Sequence, residues 1–216
     1  MKKIAFTAMT MQPLRNPLYS LSGKSRSSYS GKINFPLNAA LAEKLDESDE
    51  LTVCIIKVTD GITAKSEETF RKNEEVFRDE LSRINESIGA KIQYKIIESD
   101  FSETRDAFGK RFMEMFEILE NGCKIYADIT FGTKPTSMLI MNILYFAEKF
   151  YDADIESVVY GKTVFKELPD GKSVPDSDNS KVCDVTILYL FNNLTNAMEV
   201  ESGEKAKKIF RMFFGM

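Results

Sequence analysis

Apolar and polar positions follow two habits along this chain. Short, nearly unbroken apolar runs of strand length recur: "KKIAFTAM" (2–9), "LTVCIIKV" (51–58), "KIQYKII" (91–97), "KIYADIT" (124–130) and "IESVVY" (155–160). Between them, apolar residues return at helical spacing. Phe70, Phe77, Leu81, Ile84 and Ile88 do so over 66–88, with Ser66 as the expected cap, Glu67 and Glu68 at the positive end of the dipole and Gly89 as the stop. Phe108, Phe112, Met115, Phe116 and Leu119 do so over 102–120, ended by Asn121-Gly122. "FPLNAALAEKL" (35–45) reads as a short helix with Pro36 in its first turn, and "TSMLIMNILYFAEKF" (136–150) as a longer one. Strands without strict alternation suit a parallel sheet buried on both faces. Strand followed by helix, repeated, predicts a doubly wound α/β domain with a mainly parallel sheet and helices on both of its faces.

The end of the chain departs from that rhythm. "KTVFKEL" (162–168), a turn at "PDGK" (169–172), a polar loop and "KVCDVT" (181–186) predict a hairpin. Ile187, Leu190, Phe191, Leu194 and Met198, then Ile209, Phe210 and Phe213, predict closing helices. The expected division is a core over 1–165 and a hairpin and helical extension over 166–216, packed on the core or at a dimer interface. Residues 12–34, containing "SGKSRSSYSGK", have no periodicity and read as a long loop, either mobile or functional, polar enough to form a lid.

Composition narrows the chemistry. The chain has 216 residues, 43% hydrophobic and 29% charged, with a net charge of −4. No global basic field marks a nucleic-acid binder, so an anion site must be local and direct DNA binding is not expected. The three cysteines lie far apart and form no CxxC pair, which argues against a disulfide framework or a zinc site. The amino-terminal run is too polar for a signal peptide, no apolar run spans a bilayer, and a cytoplasmic setting is expected. There is no histidine, which removes His-dependent triads and His metal ligands. No metal or cofactor is expected.

Two strand ends carry candidate chemistry: "FTAMTMQ" after the first strand and "DITFGTKPTS" after the fourth. In open α/β sheets ligands bind at the carboxyl ends of strands. Gly132 permits a sharp turn and a close approach, and Pro135 suits the start of a helix. Thr133 and Lys134 then stand at the helix mouth, where free amides, the dipole and an ammonium attract an anion. Thr130, Thr133, Thr136 and Ser137 add hydroxyls. Spacing alone leaves this join open between an anion cradle and a plain connector, and the P-loop spacing is absent. Asp128, a carboxylate inside an apolar strand, needs partners.

"DITFGTK" (128–134) is similar to the "D-[IL]-T-G-G-T-K" signature of CARF domains, the CRISPR-associated Rossmann-like sensors, with Phe131 in place of that pattern's first glycine. Thr7 and Thr10 resemble the family's other ligand-binding loop, "INFPLNAALAEKL" the segment leading to its first helix, and "CDVTILYLFNNLTNAMEV" the Asp-x-Thr segment and helix after its sheet. The resemblance covers most of the chain. It implies a homodimer holding a cyclic oligoadenylate, a tetra- or hexa-adenylate, between two copies of each loop. Lys134 and the amides of Thr133 and Lys134 would bind phosphate, within a site of Asp128, Thr130, Phe131, Gly132 and Pro135. Thr7, Ala8, Met9, Thr10 and Gln12 would hold ribose or adenine. The resemblance also admits a ring nuclease in which Lys134 stabilises charge and Thr10 or Thr7 orients the attacking 2′-hydroxyl. Without histidine there is no HEPN nuclease. Alternatives are a sensor part of a larger effector, an unrelated nucleotide-using α/β enzyme, and a transcriptional regulator, for which "EKAKKIFRMFFGM" is too short a helix-turn-helix.

Overall fold

In the computed structural model, residues 1–14, 16–58, 63–99 and 102–215 are described; Arg15, inside the 12–34 stretch, and the terminal Met216 lie outside them. The chain runs β1 (Lys2–Ala8), β2 (Tyr19–Ser20), β3 (Lys32–Ile33), α1 (Pro36–Lys44), β4 (Glu50–Val58), α2 (Ala64–Asn85), β5 (Lys91–Ser99), α3 (Arg105–Phe116), β6 (Lys124–Asp128), α4 (Lys134–Tyr151), β7 (Asp154–Glu167), β8 (Ser173–Asp184), α5 (Thr186–Ala197) and α6 (Gly203–Phe214). Six strands form one sheet in the order β5-β4-β1-β6-β7-β8, parallel except for the β7–β8 pair. This is a doubly wound, Rossmann-like α/β fold.

Burial explains the unbroken apolar strands. Ile4, Phe6 and Ala8 of β1 pack with Met115, Ile140, Ile143 and Leu144 from the α3 and α4 side. Ala5 and Met9 face the other way, with Leu37, Leu41, Phe77 and Leu81 of α1 and α2. The chain winds outward from β1 to β4 and β5, then returns past β1 to β6 and β7. The winding direction changes between β1 and β6, which opens a crevice at their carboxyl ends. Among the described residues no helix is long and apolar enough to cross a membrane.

Several expected boundaries move, each for a physical reason. Thr63, not Ser66, caps α2, and its side chain accepts the Ser66 amide at 3.3 Å. α2 ends at Asn85, whose amide brackets Ala90 with two hydrogen bonds of 2.8 and 3.0 Å, ahead of Gly89 at φ 85°. α3 is shorter than 102–120: Thr104 caps it, and Ile118 and Leu119 reach the core from the turns beyond Phe116. The runs 155–160 and 162–168 are one strand, and most of the polar stretch before Lys181 belongs to β8. An antiparallel ribbon that overhangs the sheet is held by its backbone ladder and needs no buried face along its whole length. The boundary expected at residue 165 therefore falls inside β7. The 12–34 stretch contains the small β2–β3 pair, anchored by buried Tyr19 and Ile33.

Candidate functional site

The loops after β1 and β6 meet at the switch point. Phe6 pairs with Ala127 across the two strands, so Ala8 and Ile129 leave the sheet side by side. Gly132 closes the join at φ 91°. A side chain there would place its first carbon 3.1 Å from Cβ of Ala8 and of Thr136, so only glycine lets the loop lie this close to β1. Thr133 caps α4, accepting the Thr136 amide at 3.4 Å, and its hydroxyl lies 3.0 Å from that of Thr136. Lys134 is the first residue of α4 and Pro135 the second. The Lys134 side chain is exposed and makes no ion pair among the described residues. Nor does any acceptor there face the amides of Thr133 and Lys134. Free amides, the positive helix end and an unpaired lysine thus share the first turn of α4.

Asp128 has a different role from ligand contact. It is fully buried, and its carboxylate accepts the Thr130 amide at 2.8 Å and the Leu37 amide at 3.3 Å. α1 has no side-chain cap of its own, so Asp128 serves as its cap from across the molecule. Burial pushes the carboxyl up to about 6, against the pull of the Thr130 and Leu37 donors. Thr130 extends this network by accepting the Gly161 amide of β7 at 2.8 Å.

The remaining residues of the expected site divide by exposure. Thr7, Ala8 and Met9 are fully buried, and the Thr7 hydroxyl reaches only the Ala8 carbonyl at 3.4 Å. Thr10, Gln12, Thr130, Phe131, Gly132, Thr133, Lys134 and Pro135 all retain solvent contact. The Thr10 hydroxyl accepts the Gln12 amide at 3.2 Å. Phe131 sets its ring edge-on to Phe35 at 5.7 Å. Thr10 and Phe131 line one cavity of about 240 Å³, closed by Tyr19, Asn34, Thr163 and Phe165.

Four contributors do not stand out in the local sequence. Asn73 of α2 is buried and donates to the carbonyls of Thr10 (2.9 Å) and Gln12 (3.0 Å), fixing the β1 loop. Glu80, also in α2, accepts the Asn34 amide at 2.8 Å and its side chain at 2.7 Å, securing the entry to α1; burial raises its carboxyl. Thr163 and Phe165 come from the β7 overhang. Only the Thr-Phe alternation of a strand exit signals them, and strand exits are common.

A larger cavity, about 580 Å³, lies between α1 and the β7–β8 edge. Several of its charges are paired: Lys32 binds the Ser177 carbonyl at 3.0 Å and Asp178 at 3.1 Å, Glu43 accepts from Ser22, and Lys44 lies 3.8 Å from Glu156, while Lys181 on its wall makes no ion pair among the described residues. Charges already paired offer less to a ligand than the open Lys134, so we place the site at the switch point. Among the described residues no cluster of acidic or cysteine side chains is arranged to hold a metal ion. The join can bind a phosphate group and stabilise negative charge on it. Asp128, sealed from solvent, is not placed to act as a base on a ligand there. No family model matches this sequence, and no curated protein is significantly similar to it, so a functional reading stands on the fold and on the chemistry of this join.

Proposed function

We propose that the protein is a homodimeric sensor of a cyclic oligoadenylate, the second messenger of type III CRISPR antiviral signalling, with slow metal-independent cleavage of the bound ring. The observation that carries this reading is Lys134, an unpaired ammonium on the open amino end of α4, set beside the β1 loop at the switch point. The "DITFGTK" signature and the absence of histidine agree with it. A ring of phosphates with internal symmetry suits a pocket made of two such helix ends related by a two-fold axis. The neighbouring cavity, lined by Thr10, Phe131 and Phe165, offers aromatic faces and hydroxyls to a nucleoside.

Cleavage needs no histidine and no metal. The ribose 2′-oxygen attacks the adjacent phosphorus in line, the bond from phosphorus to the 5′-oxygen breaks, and a 2′,3′-cyclic phosphate remains. The 2′-hydroxyl proton passes to solvent and the departing 5′-oxygen takes one up. Lys134 stabilises charge on the phosphate, and Thr10, whose hydroxyl stays at the cavity, orients the attacking group. Buried Thr7 supports the loop.

Calorimetric titration with cyclic tri-, tetra- and hexa-adenylates tests the binding. One ring should bind per two chains, and Lys134→Ala should weaken it by roughly 100-fold or more, since two charge-assisted contacts are lost. The melting temperature should stay nearly constant, because Lys134 is exposed. Unaltered affinity in the variant sinks the site assignment. A labelled ring still intact after long incubation with excess protein removes the cleavage step and leaves binding standing.

A further inference from the structure

α6 is carried by α5 and has no buried side of its own. α5 is fastened to α4: its Tyr189 is buried, stacks on Tyr145 with ring centroids 4.8 Å apart and donates its hydroxyl to Glu148 at 2.5 Å. Asn193, one turn on, donates to the same carboxylate. α6 meets this base through rings, with Phe191 of α5 4.5 Å from Phe210 and 6.4 Å from Phe214. No residue of α6 is buried. Met212 is 74% exposed, Phe213 47% and Phe214 44%.

The apolar and polar halves of α6 are separated. At about 100° per residue, Ala206, Ile209, Phe210, Phe213 and Phe214 fall in one continuous arc. Glu204, Lys208 and Arg211 lie opposite, and Lys205 and Lys207 stand at the two borders. Lys205 pairs with Glu201, and Lys207 with Glu204 at 2.7 Å, both at exposed positions where such pairs hold weakly. Lys208 and Arg211 make no ion pair among the described residues. The helix thus concentrates cations, with Glu204 its one acid, in a chain whose net charge is −4.

Separation and charge together decide what surface this helix suits. A second copy of the chain would set the same positive rim against itself, and like charges repel. A single-stranded nucleic acid needs aromatic rings among the cations, so that bases stack where the phosphates run. Here rings and free cations take opposite sides. A groove on a protein would cover the apolar arc and leave Lys208 and Arg211 in water. At a bilayer the apolar arc sinks about 5–10 Å to the boundary of headgroups and acyl chains, while the rest of a helix roughly 10 Å across stays among the headgroups. The border lysines lay their stems along the apolar side and bring their ammoniums to the phosphates. Lys208 and Arg211 then meet the negative potential of an anionic leaflet.

We infer that α6 is an in-plane anchor that seats the protein on an anionic phospholipid surface. The inference stands apart from the sensor reading, because none of its residues belongs to the switch point. The attachment is peripheral: no helix among the described residues is long and apolar enough to cross a bilayer.

Vesicle flotation of the full chain tests it. The protein should rise with vesicles of phosphatidylglycerol and phosphatidylcholine in equal parts, and about tenfold less with phosphatidylcholine alone. Added salt should release it, because the attraction is screened. Lys208→Gln with Arg211→Gln should weaken binding by roughly 30-fold, and Phe213→Glu should abolish it. These side chains are exposed, so the far-ultraviolet spectra should match wild type. Lys134→Ala should float as wild type does. A full chain that stays down with the mixed vesicles overturns the inference, as does equal binding to the neutral ones or undiminished binding by the Gln double variant. So does loss of binding in Lys134→Ala, which would put the lipid contact at the switch point. If Phe213→Glu halves the mass in sedimentation equilibrium, the apolar arc packs on a second copy and the inference falls. The oligoadenylate titration is read separately. A chain that floats and binds no ring upholds the anchor and sinks the sensor, and one that binds the ring and never floats does the opposite.

Discussion

At the scale of single residues, the carboxylate that looks most like a ligand group is a structural one. Asp128 is buried between the Leu37 and Thr130 amides, and its native pKa of about 6 stands above the 3.8 of an ordinary aspartate. The folded protein therefore holds this proton more tightly between those values. The contribution of Asp128 to stability is fully present below about pH 4 and is lost as pH rises through about 6, on the order of 2 kcal/mol. Asp49, Glu50 and Glu156, whose carboxyls are lowered, slope the other way, so a total stability curve hides the effect. Comparing wild type with Asp128→Asn isolates it. In urea titrations the deficit of the variant should be larger at pH 4 than at pH 7 by on the order of 2 kcal/mol, and equal deficits would mean that Asp128 does not titrate in this window. Lys134 is the opposite case. Its place at a helix start follows from Gly132, Pro135 and the apolar run behind them, all within a few residues, so its setting was legible in the sequence.

At the scale of elements, α2 does more than cover the sheet. From one helix, Asn73 grips the loop after β1 and Glu80 grips the entry to α1. Asn73 sits 63 residues from Thr10 and reads in the sequence as one polar position among many on a charged helix. Asn73→Ala removes the donor that ties the Thr10 and Gln12 carbonyls to α2, which costs about 1 kcal/mol because water can reach those carbonyls. Amide hydrogen exchange should rise at residues 10–14 and remain slow in β4. Protection that stays unchanged in the loop would show that Asn73 does not hold it. The capping of α1 has the same character: Pro36 announces the helix, but its acceptor, Asp128, is 91 residues from Leu37.

At the scale of the whole molecule, α1 to α4 and the six-stranded sheet share two continuous apolar layers, and α6 belongs to neither. Its removal should therefore leave the protomer standing. A chain ended after Ser202 should lose less than about 1 kcal/mol of protomer stability in urea. A large loss would place α6 in the protomer core instead.

The sequence by itself determined the doubly wound order of strands and helices, because unbroken apolar runs and helical periodicity record burial on a central sheet position by position. It also determined the β6–α4 join, whose glycine, lysine and proline act over one turn of chain. Only the tertiary structure decided that β1 and β6 are neighbours, that Thr7 and Asp128 point into the molecule while Thr10 and Lys134 face outward, and that the last strands form one long ribbon. Those facts depend on which distant segments meet. A strand end can lead either into a core or into a ligand crevice, and its local pattern is the same in both cases.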